Sequence, residues 1–110
     1  MTPLELLAAW DAGEAPDRVA VRTVVKASLA ELVAKAPGRA VEVRVPPHAA
    51  VQAVEGSTHR RGTPPAVVEC DARTWLELAT GRLDWAEAVA DGRVRASGER
   101  SNLSHLLPLG

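Results

Sequence analysis

The apolar pattern of this chain changes period at Pro37-Gly38, and that change restricts the fold more than any other feature. Before it, Val21, Val25, Leu29, Leu32 and Val33 recur at helical spacing, which predicts one long helix over about Asp17 to Ala36. After it, Val41, Val43 and Val45 alternate with Glu42 and Arg44, the pattern of a strand buried on one face. The chain therefore has to pair helices with a sheet around one core. At 110 residues it is long enough for a single domain and no more.

The remaining elements follow from local signals. Thr2-Pro3-Leu4-Glu5 supplies an N-cap, a proline at the first helical position and an acid at the third, so a short helix is expected through about Trp10. Residues 1–15 are read as this helix and a linker, with the domain proper over 16–110. Pro46-Pro47 ends the first strand, Ala49 to Val54 reads as its antiparallel neighbour, and Ala66 to Cys70 as a third strand. Gly56 to Pro65 is long for a hairpin connection, which marks it as mobile or functional. Asp71 caps a helix that ends at Gly81, and Asp84 with Glu87 reads as a capping box for another that ends at Gly92. Arg93 to Ser97 alternates again as a fourth strand, and Ser101 is expected to cap a terminal helix carrying Leu103, Leu106 and Leu107.

Composition excludes several classes of function. The net charge is −1, with no pull toward nucleic acid or an anionic membrane. No apolar run reaches the roughly 18 to 20 residues of a membrane span, and the N-terminus lacks the basic and cleavage-site features of a signal peptide. Cys70 is the one cysteine, so no internal disulfide forms and a reducing cytoplasm is the expected compartment. With 3 Trp, 0 Phe and 0 Tyr, the core has to be built from Val, Leu and Ala.

The C-terminal part carries a family layout. It runs Cys70-Asp71-Ala72-Arg73-Thr74-Trp75-Leu76-Glu77-Leu78-Ala79-Thr80-Gly81, then Trp85-Ala86-Glu87-Ala88-Val89, then Gly92-Arg93-Val94-Arg95-Ala96-Ser97-Gly98, and then Leu103 and Leu106-Leu107-Pro108-Leu109. This order resembles the sterol carrier protein 2 family, closest to its short stand-alone bacterial members: a strand ending in an acid, a helix with a Leu-x-x-Gly ending, a second short helix, a Gly-basic-apolar strand, and a terminal leucine segment. The resemblance runs from about Arg18 onward. It implies an α+β fold, a mainly antiparallel sheet of about four to five strands with helices packed on one face. It also implies an apolar tunnel between sheet and helices that takes sterols, fatty acids or acyl chains. The residues expected to line it are Val43, Val51, Val68, Trp75, Leu78, Trp85, Val89, Leu103, Leu106 and Leu107, all apolar and on inward faces of the expected elements.

No constellation for chemistry competes with that reading. His48, His59 and His105 have no metal-ligand spacing to one another or to Cys70, so no metal and no cofactor is expected. Cys70 reads as a small buried apolar side chain, and Asp71, Asp84 and Glu87 as helix caps. His59-Arg60-Arg61-Gly62 is the one basic cluster, either a solvated loop tip or an anion site. The expected function is non-catalytic carriage of an apolar small molecule or lipid, without nucleic acid and without integral membrane association. The alternative is an accessory module with a filled core, docking a protein partner or a second copy through Leu4, Leu6, Leu7 and Trp10 of the N-terminal helix. Catalysis would require a cleft that gathers Cys70, a His and a carboxylate.

Overall fold

The computed structural model describes residues 1–56, 66–98 and 100–109. In chain order its elements are α1 (Pro3–Asp11), α2 (Arg18–Lys35), β1 (Val41–Val45), β2 (Ala49–Ala53), β3 (Ala66–Cys70), α3 (Ala72–Thr80), α4 (Trp85–Ala90) and β4 (Val94–Ser97), followed by a single 3-10 turn at Ser104–Leu106.

Three helices start as their sequences dictate. The Thr2 hydroxyl accepts the Glu5 N–H at 3.1 Å while the Glu5 carboxylate accepts the Thr2 N–H at 3.0 Å. Asp17 accepts from the Ala20 N–H at 3.2 Å, and Asp71 from the Thr74 N–H at 2.7 Å. Each bond satisfies a donor that the helix leaves unpaired. Asp84 departs from expectation: it makes no side-chain cap bond, so the Asp84–Glu87 box does not form, and the residue lies at the edge of a cleft. The terminal helix is also absent. Asn102 Oδ1 takes the Ser104 N–H at 2.9 Å, and Pro108 interrupts the segment before a costly first turn can be extended.

The sheet has the order β2-β1-β3-β4. β1 with β2 and β3 with β4 are antiparallel, while β3 runs parallel to β1, so the sheet is mostly antiparallel but mixed. Alternation sorts the two faces. Val41, Val43, Val45, Ala53, Ala66, Val68, Cys70 and Val94 are buried on one side. The opposite side carries Glu42, Arg44, Glu69 and Arg95, and register sets Arg44 beside Glu69 and Glu69 beside Arg95. Those cross-strand charges alternate in sign, which suits a wetted face.

The helices cover the apolar face. α2 packs on β2 at one edge, α4 on β4 at the other, and α3 packs against both α2 and α1. A close backbone approach locks α2 to the sheet. Val54 takes a left-handed φ of 68°, its N–H donates to Ala36 O at 2.7 Å, and its carbonyl accepts from the Ala40 N–H at 2.9 Å. Gly38 faces it so closely that a Cβ there would lie 2.2 Å from Val54 O. A β-branched residue in that conformation is strained, and the surrounding hydrogen bonds hold it there.

α1 is part of this core and not an appended arm. Leu6 and Leu7 are fully buried in the same cluster as Val43 and Trp75, while Leu4 points outward at 64% exposure. The apolar surface that α1 could offer a partner is thus largely used internally. Leu6→Ala is expected to lower stability by ~2–5 kcal/mol, as for a large-to-small core change, read from the urea midpoint; a loss below about 1 kcal/mol would show that α1 packs only peripherally.

Candidate ligand-binding site

The expected lining residues converge on the helix-covered side of the sheet, most of them as close-packed core. Val43, Val68, Trp75, Leu78, Trp85, Leu103 and Leu106 are buried. Val51 and Leu107 are half-buried and packed against the same cluster. Val89 departs from its expected inward face and is 41% exposed. The reason is helical angle: Trp85 and Ala88 take the inner side of the short α4 and leave Val89 on its flank.

Trp75 is the largest wholly buried side chain, and its one polar group is satisfied. The indole Nε1–H donates to Ser28 Oγ at 2.8 Å, and the Ser28 hydroxyl donates in turn to Val25 O at 2.8 Å. Sequence reading missed Ser28. Its signal was a polar residue on the inward stripe of α2, between Val25 and Leu32.

Two concave features adjoin this core. A cleft of about 140 Å³ lies between the end of α3, the start of α4 and the C-terminal segment, lined by Leu78, Gly81, Leu83, Asp84, Trp85, Ser104, Leu107 and Pro108. It brings together three of the expected residues, Leu78, Trp85 and Leu107. A more open groove of about 430 Å³ runs along β4, lined by Val67, Glu69, Val89, Val94, Arg95, Ala96 and Ser97, and takes in only Val89 of the expected set.

The C-terminal segment that forms one wall of the cleft is tied down at both ends. Lys35 Nζ donates to Leu106 O at 2.8 Å and to Pro108 O at 3.2 Å, and the Leu109 N–H donates to Ala79 O at 3.0 Å. Gly81, the left-handed C-cap of α3, lets Pro108 lie close: a Cβ there would sit 3.2 Å from the proline ring. None of these long-range ties is visible as a sequence motif.

Charged side chains brace the helices beside the cleft. Buried Glu77 pairs with Arg93 and, at 3.7 Å, with Arg82, while Arg93 Nε donates to Thr74 Oγ1 at 3.2 Å. Asp11 at the end of α1 accepts from Arg82 at 2.7 Å and from Arg73 at 2.8 Å. The hydrogen bond from Arg82, followed by that guanidinium's charge and by Arg73, holds the Asp11 carboxyl below its ordinary value. A depressed carboxyl stabilises the fold above its unfolded pKa and loses that contribution as pH falls through the folded one. Asp11→Asn should therefore flatten the acid limb of the stability-versus-pH curve below about pH 4, only slightly because the site is exposed; an unchanged limb would remove Asp11 from acid unfolding.

Cys70 is buried, and burial pushes its thiol up to about 12, with the neighbouring Asp71 adding to the effect. A neutral buried thiol is a poor nucleophile. Among the described residues no group of three or more His, Cys, Asp or Glu could hold a metal ion, and no helix is long and apolar enough to cross a membrane. His59, Arg60 and Arg61 lie outside the described residues, as does most of the Gly56 to Pro65 segment.

A family model described as bacterial SCP ortholog matches residues 17–109. The chain belongs to this bacterial SCP family. The match spans α2 through the C-terminal segment and so includes the Trp75–Ser28 core and the cleft, while α1 precedes it. No curated protein matches the chain.

Ser28→Ala should strand the Trp75 indole donor in the core and cost ~1–3 kcal/mol, measured by urea unfolding followed through tryptophan emission; a neutral outcome would mean that the indole finds water or another acceptor.

Proposed function

We propose that the protein binds and carries an apolar ligand (a sterol, fatty acid or acyl chain) without chemical conversion, and that the ligand enters at the cleft between α3, α4 and the C-terminal segment. The observation that carries this reading is the convergence of Leu78, Trp85 and Leu107 on that cleft, and membership of the bacterial SCP family supports a carrier-type role. The driving force is area burial. Hiding ~400 Å² of apolar surface yields ~10 kcal/mol gross at ~25 cal/mol per Å², and ordering costs reduce this to micromolar-class affinity.

A cleft of about 140 Å³ is smaller than the ~300–1,000 Å³ typical of small-molecule sites. The ligand therefore has to displace part of the C-terminal segment, whose Leu103, Leu106 and Leu107 would exchange their contacts for contacts with the ligand. No step requires a nucleophile, a metal or a cofactor. One unpaired buried cysteine fits a cytoplasmic setting.

The second reading is an accessory module that binds no ligand. The complete burial of Val43, Val68, Trp75 and Leu103 favours it, because a permanently filled core leaves no tunnel. Titration with a fluorescent fatty acid, alongside native mass spectrometry of protein from its own host, separates the two. Saturable one-to-one binding, weakened at least about tenfold by Leu107→Asp, is the expected result, since an unpaired carboxylate at the cleft costs more than about 1.4 kcal/mol and repels an anionic head group. A ligand-free mass with no saturable binding would instead establish the filled-core module.

A further inference from the structure

Lys35 is the last residue of α2, and its ammonium is aimed at the backbone of a segment more than seventy residues away in sequence. It donates to the carbonyls of Leu106 and Pro108, which flank Leu107, and Leu107 and Pro108 both line the cleft. Glu31 stands one helical turn earlier, where an i,i+4 ion pair could form, yet Lys35 is paired with no carboxylate among the described residues. A cation is thus held by two neutral acceptors on the segment that forms one wall of the cleft.

We propose that Lys35 is both the latch of the C-terminal segment and the anchor for the head group of the ligand, so that the preferred ligand is an apolar chain ending in an anion, such as a long-chain fatty acid, over a neutral sterol or alcohol. The inference rests on the carrier reading above and adds to it the ligand class and a gating residue. Its physical basis is an exchange of acceptors. A carboxylate accepts a charge-assisted hydrogen bond from an ammonium more strongly than a neutral carbonyl does. A fatty acid that brings its carboxylate to Lys35 therefore compensates for the two bonds it breaks, and breaking them frees the segment bearing Leu106 and Leu107 to move off the cleft. A neutral ligand of the same length has to break the same bonds without that replacement. Asp84 is among the residues that line the same cleft, and its negative charge disfavours an anionic head group on that side.

The test compares palmitate with hexadecanol, which share a chain length, on the wild-type protein and on Lys35→Met, which keeps the stem and removes the donors. Wild type is expected to prefer palmitate by about tenfold, a charged-bond increment of roughly 1.4 kcal/mol, and the variant to lose that preference while binding hexadecanol at least as well as wild type. Hydrogen exchange reports the latch separately: the amides of Leu106, Leu107 and Leu109 should exchange faster in Lys35→Met, with the amides of β1 unchanged as evidence of an intact fold. Equal preference in wild type and variant, or unchanged exchange in the segment, overturns the Lys35 proposal alone. Binding of neither ligand to wild type overturns it together with the carrier reading.

Discussion

The hydrogen bond from the Trp75 indole to Ser28 is the contact around which the interior is arranged. Trp75 is the one aromatic ring wholly inside a core otherwise made of Val, Leu and Ala. Without a partner its N–H would be a buried unpaired donor, a penalty comparable to the loss of a core methylene or more. Ser28 Oγ accepts it and its own O–H donates to Val25 O, so a short chain of hydrogen bonds joins the centre of α3 to the interior of α2. This fixes the rotation of α3, which buries Ala72, Thr74, Trp75, Leu76, Glu77, Leu78 and Ala79. A helix buried so extensively can be stable only if its polar groups are all paired. Thr74 and Glu77 are, through Arg93 and Arg82.

Placing α3 in this way determines the candidate site. Leu78 comes to face the C-terminal segment, and Gly81 ends the helix where Pro108 can lie against it. The segment then closes on the helix through Leu109 and on α2 through Lys35. Large buried leucines on an irregular segment, held by a few peripheral hydrogen bonds, give a wall that is well packed when closed and has few ties to break. Local opening draws on regions of that kind.

Strong local signals account for what was legible in advance. The alternation at Val41, Val43 and Val45 set both the strand and its buried face, because period 2 leaves a strand no second choice once one face is apolar. Thr2 and Asp71 act where capping chemistry puts them, since a cap acts within its own first turn. The failures arose where a local signal met a competing partner. Asp84 leaves its own helix uncapped, Asn102 and Pro108 defeat a terminal helix, and Val89 sits on the flank of a helix too short to bury more than one side.

From α1 to β4 the sequence by itself determined which segments are helix and which are strand and, Val89 aside, which face of each is apolar, because these depend on periodicity and on contacts within a few residues. Only the tertiary structure decided that β3 runs parallel to β1, that Ser28 serves Trp75, that α1 shares the core, and that Lys35 holds the carbonyls of Leu106 and Pro108. Each of those pairings joins groups distant along the chain. Their partners are chosen by shape and by the need to satisfy buried polar atoms, and neither leaves a periodic trace in the sequence.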